Sequence, residues 1–229
     1  MQDVSSLENA IGITFKNSKL LQQALVHRSY LNENPSFELD HNERLEFLGD
    51  AVLELAVTQH LYQHYPNPEG ELTNWRASLV NSTTLASVAR ETGLEEYLYL
   101  SKGESRDNNS KARGYILANA MEALIGALYL DQGYEVAAAF VKKIIISKLP
   151  NILEHKLYRD AKTAFQEAAQ EKFSLTPTYH VVDEDGPDHN KNFTIAVKLG
   201  DSEIAQGIGT SKQEAETAAA AAALAAKGW

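Results

Sequence analysis

Four carboxylates recur at helical spacing in the stretch His41–Leu55, HNERLEFLGDAVLEL: Glu43, Glu46, Asp50 and Glu54. At about 100° per residue they fall in one narrow sector of a helix. Leu45, Leu48, Val52, Leu55 and Ala56 fall opposite. Phe47 and Val57 sit inside the acidic sector, so that side also asks to be covered. Four like charges at these steps repel one another. A cation would neutralise them, and oxygen-only ligands suit Mg²⁺ or Mn²⁺. A plain solvated face on an amphipathic helix is the competing reading.

A second segment bears on that choice. Between Leu117 and Leu130, LANAMEALIGALYL holds one carboxylate, Glu122, and no Lys, Arg or His. A lone carboxylate on an apolar helix is costly unless it is paired, bound to metal, or long enough to reach water at the rim. Asn119 lies one turn before it on the same face. If Glu122 faces Glu46 and Asp50 across a helix pair, the set can hold a divalent ion. Such an ion activates water and stabilises charge in phosphoryl transfer.

The elements that must carry these residues divide in two. From Ser5 to Leu149 apolar residues recur at three- and four-residue steps, with turn-rich breaks at NENPSFELD, YPNPEGE and SKGESRDNNSKARG. KLPNILEHKLYRD, with Pro150, reads as a short linker. DAKTAFQEAAQEKF then reads as an amphipathic helix, and TYHVVDE, NFTIAVKLG and SEIAQGIG as three short strands. SKQEAETAAAAAALAAK is a closing helix with a capping box, Ser211 and Glu214. Its alanine run reads as a face packed closely on a small sheet. The expected fold is an all-α domain followed by a small α+β domain of order α-β-β-β-α. Its boundaries are 4–133 for the helical domain, 134–158 for a C-terminal helix and linker, and 159–228 for the small domain.

Composition narrows the function classes. The 229 residues contain no cysteine, which excludes disulfides and thiolate metal sites. MQDVSSLENAIG is not a signal peptide, and the longest apolar stretch, 118–130, is interrupted by Glu122. The expectation is a soluble, cytoplasmic protein with no membrane partner. The net charge of −10 argues against nucleic acid, and residues 1–157 and 158–229 are each acidic. An RNA-binding reading therefore rests on local placement of a few cations. His60 and His64 form H-L-Y-Q-H, without the central Glu of a zinc protease, and read as surface or rim residues. There is no P-loop and no G-x-S-x-G motif.

Taken together, NERLEFLGDAVLEL, YPNPEGELTNWRASLVNSTTLA and ILANAMEALIGALYLD resemble the bacterial ribonuclease III family. The last 70 or so residues resemble a double-stranded-RNA-binding domain through KTAFQE, GPDHNKNF and GIGTSKQEAE. The resemblance covers nearly the whole chain. It implies a dimeric endonuclease that uses divalent metal to cut both strands of an RNA duplex. The expected ends are 5′-phosphates and 3′-hydroxyls with short 3′ overhangs, and the expected role is rRNA and mRNA processing.

Carried over by residue, Glu46, Asp50 and Glu122 match the metal-binding and catalytic carboxylates. Asp50 and Glu122 take the catalytic role. Glu43 and Glu69 match accessory acids. Phe47 matches an aromatic that packs into the partner subunit, with plain core packing an equal alternative. Gln166 and Glu167, the loop Gly186, Pro187, Asp188 and His189, and Ser211 with Lys212 match the RNA-binding positions. From composition alone that loop is equally a β-turn, and Lys212 equally a solvated lysine.

Two departures stand out. Asn119 replaces the family's Asp: it keeps an oxygen ligand but brings no charge. Either the site cuts with weaker metal binding, or the chain binds duplex RNA without cutting it. Gln213 stands where a second Lys often follows. Within residues 101–115, Lys102, Arg106, Lys111 and Arg113, set against Glu104 and Asp107, form either a backbone contact for RNA or a merely solvated charged loop. The rival from a different class is a structural helical dimer with an acidic surface, favoured by net charge alone.

Overall fold

The computed structural model describes residues 4–107, 111–158, 160–187 and 191–229. The chain divides into two compact units, Met1–Tyr158 and Arg159–Trp229. The first is helical: α1 (Ser5–Ile11), α2 (Ser18–Ala24), α3 (Arg28–Glu33), α4 (Glu43–His64), α5 (Glu69–Val80), α6 (Ser82–Glu91), α7 (Lys102–Arg106), α8 (Lys111–Gln132), α9 (Tyr134–Ile144) and α10 (Leu149–Glu154). The second holds α11 (Ala161–Phe173), β1 (Thr178–Asp185), β2 (Asn192–Leu199), β3 (Ser202–Gly209) and α12 (Lys212–Lys227).

Helix α8 is the spine of the helical unit. Leu117, Ala118, Ala120, Met121, Ala123, Leu124, Ile125 and Ala127 are buried on every side of it, as expected of a helix that is apolar all round. α4 packs along it more extensively than any other element. Their crossing is set by two glycines. A Cβ on Gly49 would lie 1.8 Å from the Glu122 carbonyl oxygen, and one on Gly126 would lie 2.2 Å from the Leu45 carbonyl oxygen. The two backbones therefore touch, which only glycine allows. The start of α4 is fixed by buried Asn42. Its side-chain amide donates to the Ala24 carbonyl at 3.1 Å, and its backbone N–H donates to Val26.

Three local expectations are corrected. The break at residues 101–114 contains α7, capped by the Ser101 hydroxyl accepting from the Glu104 N–H, and the start of α8. The stretch read as a linker forms α10, with Pro150 in its first turn. Proline is tolerated there because the first-turn N–H has no helical partner. Leu55, placed on the apolar side of α4, is 55% exposed, while Val57 is fully buried. The buried stripe of α4 runs through Leu45, Gly49, Val52, Leu53, Ala56, Val57 and Leu61, and the acids border it rather than oppose it.

In the second unit the strands form one antiparallel sheet of order β1-β2-β3. Its core joins Phe165 and Ala169 of α11 to Val197, Leu199, Ala219, Ala220 and Ala223. The alanine run is a packing face, as its position suggested. A Cβ on Gly207 would lie 2.1 Å from the Ala219 nitrogen, so helix and strand backbones meet there and larger side chains have no room.

Candidate active site and RNA-binding face

The glycine crossing places the carboxylates. Gly49 lies beside Asp50 and three residues after Glu46. Its contact point is the backbone of Glu122. Glu46 and Glu122 are half-buried and Asp50 is exposed at the rim. Among the described residues, no Lys, Arg or His pairs with any of these three. Burial pushes the Glu122 carboxyl up to about 7, helped by the charges of Asp50, Glu46 and Glu54. Burial also raises Glu46, with Glu43 and Asp50 adding to the shift. A hydrogen bond from the Asn119 side chain opposes it.

The structure thus brings Glu46, Asp50, Asn119 and Glu122 together across α4 and α8. Glu43 borders the group and is itself paired, 3.4 Å from Arg28 and 3.7 Å from His41. Glu69 opens α5 and lines a groove with Thr58, Tyr62 and Arg76; it is not among the acids whose charge is felt at Glu122. Sequence reasoning placed Glu54 in the acidic sector without a partner. Arg76 of α5 holds it, with Nε 3.0 Å from Glu54 and Nη1 donating to Thr58 at 3.1 Å. The Trp-Arg pair in TNWRAS carried no signal by itself.

The donor set is oxygen-only and has no protein cation, which fits a hard divalent ion. Among the described residues no three His, Cys, Asp or Glu side chains converge tightly enough to enclose an ion as they stand.

Arg113 is corrected. It is 5% exposed, its Nε donates to Glu95 at 2.8 Å, and it ties α8 to the 3₁₀ turn Leu94–Tyr97. A buried, paired guanidinium is unavailable to a phosphate backbone. His60 and His64 stack with ring centroids 4.2 Å apart, His64 exposed and His60 at the rim.

On the second unit, Gln166 and Glu167 lie exposed on α11, whose buried face carries Phe165 and Ala169. Gly186, at φ 100°, and Pro187 are exposed after β1. Asp188 and His189 lie outside the described residues. Ser211 caps α12 by accepting from the Glu214 N–H at 3.2 Å, and Lys212 follows at the helix start. The returning arm of the capping box goes one residue further back than expected: the Thr210 N–H donates to the Glu214 carboxylate at 3.0 Å.

Comparison with known proteins gives this arrangement its context. The ribonuclease-III-like family profile matches residues 17–149, and the double-stranded RNA binding motif matches residues 161–227. The chain is 47% identical to ribonuclease 3 of Pelotomaculum thermopropionicum over 219 residues, 95% of this chain and 90% of that one. It is 43% identical to ribonuclease 3 of Chloroflexus aggregans, with 98% of each covered.

The chain belongs to the ribonuclease III family.

It is an endoribonuclease, a hydrolase acting on double-stranded RNA. Its fold matches the nuclease domain of ribonuclease III from Campylobacter jejuni, at 34% identity and a TM-score of 0.57, over 65% of this chain and 99% of that one. That structure was described for flexibility in a region involved in dimer formation. Among the described residues, no helix is long and apolar enough to cross a membrane.

Proposed function

We propose that this member of the family hydrolyses duplex RNA at the α4–α8 crossing, with divalent metal held by Glu46, Asp50, Asn119 and Glu122. The observation that carries this reading is Glu122. It is a half-buried carboxylate facing two others with no cation beside it, an arrangement that is costly unless an ion completes it. Mg²⁺ is the expected ion and Mn²⁺ a substitute. A bound ion supplies an activated water and charge stabilisation at the scissile phosphate. Asp50 and Glu122 orient that chemistry, and Glu46 holds the third side. Glu43 and Glu69 are accessory acids. The products carry 5′-phosphates, 3′-hydroxyls and short 3′ overhangs, and the substrates are rRNA and mRNA precursors in the cytoplasm. The nuclease part is 4–133, the helix and linker 134–158, and the RNA-binding domain 159–228.

A homodimer places two such sites on one duplex. Phe47 is 82% exposed on the isolated chain and forms one wall of an open recess whose lining mixes Leu20, Leu45, Leu48 and Leu130 with charged groups such as Asp40 and Arg44. Burying one Phe contributes about 1.5–3 kcal/mol. Gln166, Glu167, the Gly186–His189 loop, Ser211 and Lys212 form the RNA-binding face, read mainly by duplex shape.

Asn119 favours one second reading: duplex binding without cutting. A cleavage assay on a long RNA duplex, titrated with Mg²⁺ and Mn²⁺, separates the two. Cutting by the wild type, with ends of the stated chemistry, supports the first. Cutting only after Asn119→Asp establishes the second.

A further inference from the structure

The lysine expected to meet phosphate is already engaged. Lys212 Nζ lies 3.2 Å from Glu184 Oε1, and Lys191 Nζ lies 3.7 Å from Oε2 of the same carboxylate. The Lys212 ammonium also stands 5.5 Å from the centroid of the Phe193 ring. Phe193 is the cross-strand partner of Glu184 on one side and of Gly209 on the other. A Cβ on Gly209 would lie 2.5 Å from the Ala215 nitrogen, so α12 begins almost in contact with β3. That close approach carries the helix start, and Lys212 with it, over the β1–β2 pair. One carboxylate therefore holds two cations at the end of the sheet where α12 begins.

We propose that Glu184 sets the affinity of the RNA-binding face: its carboxylate occupies the place of a backbone phosphate between Lys191 and Lys212, and RNA binds by exchanging for it. A carboxylate and a phosphate offer the same kind of charged oxygens to the same ammonium donors, so they compete directly. The exchange is cheap, because the Lys212 and Glu184 side chains are 57% and 37% exposed and water screens the pair. A single phosphate gains little by displacing Glu184. An array of phosphates on a duplex, contacting the rest of the face at once, gains enough. The device selects for extended duplex over short or single phosphates and speeds product release. The proposal rests on Lys212 as an RNA contact.

Salt provides an independent signature. Each phosphate neutralised by the protein releases bound counterions. A displaced Glu184 carboxylate stays beside the bound phosphates and offsets part of their attraction to the lysines, so salt weakens binding less steeply with Glu184 present than without it.

The test uses the full chain carrying Glu122→Gln to suppress cleavage, and a duplex of about 30 base pairs, longer than one ~16-base-pair footprint. Affinity is measured by fluorescence anisotropy from about 50 to 200 mM salt. Glu184→Gln is expected to bind about three- to tenfold tighter, with a steeper salt dependence. In a Lys212→Ala background that gain shrinks. Asp183→Asn, the same charge change one residue earlier on β1, gives a smaller gain. Two results overturn the role of Glu184 while leaving Lys212 as an RNA contact: unchanged or weaker binding by Glu184→Gln, or an equal gain from Asp183→Asn. If Lys212→Ala binds like its parent, the reading of Lys212 falls, and the proposal with it.

Discussion

The two RNA-directed regions handle charge in opposite ways. At the α4–α8 crossing, Glu46, Asp50 and Glu122 are gathered without a protein cation, and burial drives Glu122 to take up a proton. On the small unit, Glu184 meets two lysines and all three are open to water. The first arrangement is stored electrostatic cost, which packing imposes and a divalent ion would relieve. The second is a near-balanced exchange. A single charge change should therefore act through orders of magnitude at the crossing and through small factors on the small unit.

The sharpest way to break the first region is to remove what forces it. Gly126→Val drives a side chain into the Leu45 carbonyl, where 2.2 Å is available. Overpacking usually costs about 1–3 kcal/mol, and backbone contact puts this case at or beyond the upper end. Calorimetry should show the helical unit melting well below the wild type while the small unit melts unchanged. Equal melting would mean that the helices part freely.

Next in size is chemistry. Asp50→Asn should lower duplex cleavage by more than about 100-fold, because second-shell changes at metal sites already cost 10–100-fold. Duplex binding, read by anisotropy, should stay near wild type. Asn119→Asp should act the other way and more mildly, lowering the Mg²⁺ needed for half-maximal cleavage by a few-fold. It adds a charge to the donor set, and it also removes the amide that now donates to Glu46.

The smallest expected effect is on stability against pH without metal. Glu122 binds its proton more tightly folded than unfolded, since its carboxyl rises from 4.5 to about 7. The folded state holds more protons in that window, so stability falls as pH rises from about 4.5 to 7. Glu46 acts in the same direction. Glu122→Gln should flatten the slope, as seen in thermal melts with a chelator present.

Where the amino-acid pattern carries the physics, it could be read directly. Three strands with turn residues between them, an apolar stretch of α8 with Glu122 as its one carboxylate between residues 117 and 130, and acids at three- and four-residue steps all appear as such in the structure. The glycine crossing was not legible, because a glycine shows no pattern until its neighbour's backbone is known. Yet Gly49 and Gly126 decide that Glu122 faces Asp50. Arg113 looked like one more surface cation, since its partner Glu95 lies 18 residues away in a short turn. Leu55 was placed on the covered side and is exposed, because α4 is buried by more than one neighbour, which shifts its covered stripe; Val57, on the side that asked for cover, is buried. Pro150 was read as a breaker although it stands where a helix accepts it.

If α4 and α8 jointly form one divalent-ion site, that site binds metal before any RNA arrives. Direct Mn²⁺ binding by calorimetry or electron paramagnetic resonance, at a pH above 7 and without RNA, tests it for the wild type and Glu122→Gln. The wild type should bind, and the variant should lose more than about tenfold in affinity. Equal Mn²⁺ affinity for the two proteins would contradict the shared site.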